Sequence, residues 1–154
     1  MPEEWLIDGY NLLHELNSRK DKPSSKISRE SCLSRLAPFA ASQACKVTVV
    51  LDGIGNNEEF AGLRSLTFCV VYSHSVSADA YIEKYLFENK GKASFVVVTR
   101  DRAIADMARG SGARVMNVKN FMECLEATNK ENSDILFGHR LKSHGFHRPF
   151  EDKL

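Results

Sequence analysis

Lys46–Asp52, KVTVVLD, decides the fold. A strand with one wet face alternates apolar and polar side chains. The continuous β-branched run here is instead that of a strand covered on both faces, as in a parallel sheet flanked by helices. The run closes on an acid, Asp52. Working outward, the same pattern recurs on either side. SFVVVTRD (Ser94–Asp101) is an apolar run that closes on Asp101, and EWLID (Glu4–Asp8) is one that closes on Asp8.

Helical periods fill the gaps between these strands. YNLLHEL follows Asp8, and ISRESCLSRLAPFAASQAC spaces Ile27, Leu33, Leu36 and Ala40 as one helix face, with Pro38 expected to kink or divide it. LTFCVVYS predicts a further strand. VSADAYIEKYLFENKG predicts a helix with Ser77 as N-cap and Gly91 as terminator. After the strand closing on Asp101 come the helix RAIADMARGSG, a short strand ARVMN, and an amphipathic helix from about Val118 to Ala127. This alternation predicts an α/β fold: an open, mostly parallel, doubly wound sheet of about five strands with helices on both faces. Residues 1–130 are expected to form one domain, and residues 131–154 an extension, partly helical or a loose basic tail.

Composition narrows the function classes. The chain has 154 residues, 43% of them hydrophobic, enough for a single core. With 21 basic and 20 acidic residues, the net charge of +1 does not announce a nucleic-acid binder, so any electrostatic site must be local. Cys32, Cys45, Cys69 and Cys124 show no C-x-x-C spacing and are expected to be reduced and buried. No apolar run reaches the roughly 18 residues of a membrane span, and no signal-like amino terminus is present, so a soluble cytoplasmic protein is expected.

Ligands of open α/β sheets sit outside the carboxyl ends of the strands. Asp8, Asp52 and Asp101 fall at such ends, Asp79 in the first turn of a helix bordering the same crevice, and Glu83 one turn deeper on that helix. Singly, each acid also reads as a helix cap or a turn residue. Together, like charges about 4 Å apart repel by about 4 kcal/mol per pair at an effective dielectric near 20, so such a cluster needs positive compensation. Arg100 and Arg102 flank Asp101, but no basic residue occupies an obviously inward strand-end position. Oxygen ligands around a crevice suit a hard divalent cation, Mg2+ or Mn2+.

IDGYNLLH (Ile7–His14), VVLDG (Val49–Gly53), SADAYIEKY (Ser77–Tyr85) and VVTRD (Val97–Asp101), in this order and spacing, resemble the YacP-like branch of the NYN domains. That branch lies within the PIN-like nuclease superfamily. The resemblance runs from about Trp5 to Ala127. It implies a metal-dependent endoribonuclease with a carboxylate-held Mg2+ or Mn2+, in which Asp8, Asp79 and Asp101 hold the metal or orient the attacking water and Asp52 assists. Asn11 and Thr99 match further polar positions of the family. With Arg100 and Arg102 they are the candidate substrate-binding residues, and Glu83 a supporting one. The implied substrate is RNA, whether messenger, ribosomal or transfer RNA, with the ribosome a candidate partner.

Basic segments elsewhere could track an RNA backbone or simply be solvated: Arg19, Lys20, Lys22 and Lys26 in one loop, and Arg140, Lys142 and Arg148 near the carboxyl end, where Phe146 and Phe150 could stack on bases. The histidines of that end complete no zinc-ligand spacing. A phosphatase of the haloacid dehalogenase type would want an acid where Tyr10 stands, and a receiver domain an acid pair at Asp8. The stronger rival is a non-catalytic RNA-binding or ribosome-associated module on the same fold.

Overall fold

The computed structural model describes residues 3–18, 28–55, 62 and 65–143, with 131–143 described by backbone alone. Strand β1 (Glu3–Asp8) runs into helix α1 (Gly9–Ser18). Helices α2 (Arg29–Ser34) and α3 (Leu36–Ser42) precede β2 (Lys46–Leu51), and β3 (Phe68–Tyr72) leads to α4 (Ala78–Glu88). The chain continues through β4 (Ser94–Val98), α5 (Arg102–Gly110) and β5 (Arg114–Met116) to α6 (Val118–Ser143).

The strands form one five-stranded, all-parallel sheet in the order β3-β2-β1-β4-β5. Chain order reverses between β1 and β4, which is where an open α/β sheet leaves a crevice at its carboxyl edge. Register keeps that edge level: Asp8 pairs with Val50, and Ile7 pairs with Val98, so Asp8 ends its strand beside Thr99.

Period-two alternation distributes side chains to two layers. Trp5 and Ile7 join Val47, Val49, Val96 and Val98 under α1, α2, α3 and α6, while Leu6, Val50 and Val97 pack beneath α4 and α5. In the first layer the Trp5, Phe39 and Phe121 rings lie 5.3–5.8 Å apart and tie β1 to α3 and α6. Burying each such side chain contributes about 1.5–3 kcal/mol. The same alternation sends Asp8 and Asp52, which share the parity of Leu6 and Val50, to the α4–α5 side of the sheet.

Several details differ from the expectations. The helix read through Pro38 breaks at Arg35, three residues earlier, because Pro38 sits in the first turn of α3, where a missing N–H loses no helical bond. The last helix does not stop near Ala127: α6 runs unbroken to Ser143. Its apolar stripe, among the residues whose side chains are described, is Val118, Phe121, Met122 and Leu125, and no proline interrupts the sequence before Pro149. Cys32 and Cys45 are buried, and burial pushes both thiols up to about 11. Cys69 is only half-buried, and Cys124, off the α6 stripe, is exposed. Among the described residues, no helix is long and apolar enough to cross a membrane.

Gly9 explains the close approach of α1 to the sheet. A Cβ there would lie 2.6 Å from Leu51 Cδ2 and 2.8 Å from Val49 Cγ1, so only glycine lets the helix begin immediately after Asp8. The buried Thr48, also in β2, has a hydroxyl oxygen with no hydrogen-bond partner among the described residues. Thr48→Val, which keeps the shape and removes that group, is expected to raise stability by about 1 kcal/mol in chemical denaturation. A loss of stability would show that the hydroxyl is satisfied.

Candidate active site

Asp8 is 4% exposed, and its Oδ1 accepts the Tyr10 and Asn11 amides at 3.0 and 3.1 Å. These are the N2 and N3 positions of α1, so Asp8 is the N-cap of that helix. Asp101 caps α5 in the same way, its Oδ1 accepting the Ile104 amide at 3.0 Å. Asp52 Oδ1 accepts the Ala78 amide at 3.2 Å and the Ser73 hydroxyl at 3.3 Å, and so holds the start of α4 against the end of β2. Asp79 stands one residue further into α4, after the Ser77 N-cap, whose Oγ accepts the Ala80 amide.

Capping and clustering therefore coexist. Asp8, Asp52 and Asp79 line one open cleft of about 210 Å3 with Asn11 and Ser77. Asp101 stands near enough for its carboxyl to act on that of Asp79. Three helix amino termini point into the cluster and offset part of its negative charge. The offset is incomplete: burial first, then Asp8, Asp101 and Asp52, raise the Asp79 carboxyl above its ordinary value of 3.8. Among the described residues, no lysine or arginine lines that cleft. Among the described residues, no three His, Cys, Asp or Glu side chains are close enough together to ligate one ion directly. The donors gathered here are carboxylate oxygens, the type that Mg2+ takes one or two at a time while keeping several waters.

The other expected residues take distinct places. Asn11 Oδ1 accepts the Arg100 amide at 3.2 Å, which bridges the ends of β1 and β4 across the switch point. Thr99 is buried, and its Oγ1 accepts the Asp101 amide at 3.0 Å, so it shapes the turn that presents Asp101. Arg100's guanidinium meets His14 Nδ1 at 2.9 Å, while Arg102 and Asp101 border a separate cleft between α5 and α6. Glu83 is not brought to the acids. One helical turn deeper, it lines another cleft with Phe87 and Met107. Arg19, Lys20, Lys22, Lys26, Arg148, Phe146 and Phe150 lie outside the described residues, and Arg140 and Lys142 belong to the part of α6 described by backbone alone.

Two contributors escaped sequence reading. Ser73 Oγ accepts the Gly53 amide at 3.0 Å as well as donating to Asp52, and His14 holds Arg100. Ser73 follows β3 as Asp52 follows β2, so the strand-end criterion could have found it. Nothing local marks His14.

The raised Asp79 carboxyl sets a pH dependence. The folded state holds this proton more tightly than the unfolded chain, so stability falls as pH rises from 3.8 through the raised value, and the full penalty is present at neutrality. In metal-free buffer Asp79→Asn is expected to melt higher than the parent at pH 7, with the gap closing as pH falls below 3.8. A variant that melts lower at pH 7, or a gap that widens in acid, contradicts the crowding.

Comparison with known proteins agrees with this fold. A crystal structure of Rae1 (YacP) from Bacillus subtilis superposes with a TM-score of 0.74 at 19% identity, covering 92% of this chain and 83% of that one. A second structure, of a mutant of the same protein, gives 0.66 at 18% identity over 98% and 89% of the two chains. No curated protein matches. At such identities these likenesses speak for the fold. The profile of the YacP-like NYN domain matches residues 5–152, nearly the whole sequence, and the chain belongs to that family.

Proposed function

We propose that the acid cleft is the active site of an endoribonuclease that hydrolyses RNA phosphodiester bonds with Mg2+ or Mn2+. The NYN domain is a nuclease-type fold. The observation that carries the reading is the charge at Asp79, crowded by Asp8, Asp101 and Asp52 in a cleft that no basic side chain lines among the described residues. A bound divalent cation would act as Lewis acid toward the phosphoryl group and make water nucleophilic at neutral pH. Asp8 and Asp101 are the residues to hold it, each fixed by its own cap bonds. Asp79, with its raised carboxyl, orients the attacking water and is suited to take a proton from it. Asp52 sets the start of α4 and thereby the position of Asp79. Asn11 fixes the width of the crevice through the Arg100 amide. A cytoplasmic location and the ribosome as candidate partner go with this proposal.

One observation favours the rival, a non-catalytic RNA-binding module: among the described residues, no three-carboxylate cation site is preassembled. Incubation with a mixed RNA pool separates the two. The enzyme reading expects cutting in Mn2+, none in EDTA, and fragments with 5′-phosphate and 3′-hydroxyl ends. Asp79→Asn should lower the rate by about 10²–10⁴-fold without unfolding the chain. Cyclic phosphate ends, or full activity in EDTA or in Asp79→Asn, would sink it. RNA retained but left uncut in every divalent cation would favour the binding module.

A further inference from the structure

An acidic cleft repels the polyanion it is meant to cut, so affinity must come from surface beside it. Next to Asp101, between α5, β5 and the start of α6, lies a cleft of about 670 Å3. This is within the range of roughly 300–1,000 Å3 typical of ligand sites. Its α5 wall is the stripe Arg102, Ala105, Asp106 and Arg109, spaced i, i+3, i+4, i+7 on one helix face. Its floor is the edge strand, where Val115 and Met116 are half-buried.

The chemistry of this cleft is amphipathic. Arg102 is exposed and has no ion-pair or hydrogen-bond partner among the described residues. Among the described residues Arg109 is held only by an exposed pair with Asp106 at 3.4 Å, the kind of contact that yields to a competing anion. The two arginines stand two turns apart, about 10 Å along the helix axis, at opposite ends of the apolar floor. The amino end of α6, capped by the neutral Asn117 side chain at 2.7 Å, adds a positive dipole without a carboxylate to cancel it. Bare phosphate would have no use for the floor, and a purely apolar ligand none for the arginines. A nucleotide strand uses both.

We propose that the α5–α6 cleft is the substrate-holding subsite, in which Arg102 and Arg109 engage phosphates of a single-stranded RNA flanking the acid cleft while an unpaired base rests on Val115 and Met116. The inference rests on the nuclease reading for its choice of ligand, but its test does not need cleavage. Binding of a short fluorescein-labelled single-stranded RNA is measured by anisotropy in EDTA, in the Asp79→Asn background, across a salt series. The Arg102→Gln/Arg109→Gln double variant should weaken binding about tenfold or more. Its salt slope should become shallower by about 1.4, at roughly 0.7 per lost contact to a single strand. Asp106→Asn, which frees Arg109, should tighten binding, an effect that a merely structural pair would not produce. The same strand annealed to its complement should bind more weakly.

Unchanged affinity and slope in a folded double variant, looser binding by Asp106→Asn, or equal binding of the duplex would overturn the subsite and leave the acid cleft's chemistry standing. Cleavage lost in Asp79→Asn while these binding shifts are seen supports both. Failure of the unmodified protein to bind RNA at all overturns the subsite and removes the RNA substrate from the nuclease reading.

Discussion

The two hydrogen bonds that Asp8 Oδ1 accepts from Tyr10 and Asn11 are the constraint on which the rest of the site depends. They turn the central strand directly into a helix, with Gly9 as the one residue small enough for the junction. A carboxylate is thereby fixed, nearly buried, at the point where strand order reverses. Asp101 repeats the device at β4, and Asp52 does so from β2 toward a helix that is not its sequence neighbour. Capping and clustering are not alternatives here: the bonds that cap the helices are the ones that bring the acids to one crevice.

That construction balances opposing charges. Helix amino termini make the acids tolerable, and the crowding they permit leaves Asp79 with an upward-shifted carboxyl. Asp79 gains from the amino terminus of α4, in whose first turn it stands, and loses by its closeness to the other three acids. Among the described residues the basic groups stay outside the cleft, Arg100 turned toward His14 and Arg102 toward the α5–α6 side.

Much of this was legible in the sequence because it rests on short-range chemistry. Continuous apolar runs such as Val47–Leu51 mark buried parallel strands, and a polar residue closing each run marks the carboxyl edge. What was not legible depends on contacts distant along the chain or on the absence of a signal. His14 finds Arg100 across 86 positions, and no local pattern announces it. Glu83 shares a helix face with Asp79, but a turn's rise carries it into a different cleft. The continuation of α6 past Ala127 comes from the lack of a breaker, which periodicity does not register.

The central claim, that the acid cluster is a site for a divalent cation, is tested most directly by melting the protein with and without Mn2+. A ligand bound only by the folded state stabilises it by about 2.7 kcal/mol at a hundredfold its dissociation constant. Asp8→Asn keeps the cap, since asparagine serves an N-cap as well as aspartate, and removes only the charge. The account predicts a rise in melting temperature with Mn2+ in the parent and none in Asp8→Asn. Equal melting temperatures across a millimolar titration of the parent, or the same rise in Asp8→Asn, would contradict it.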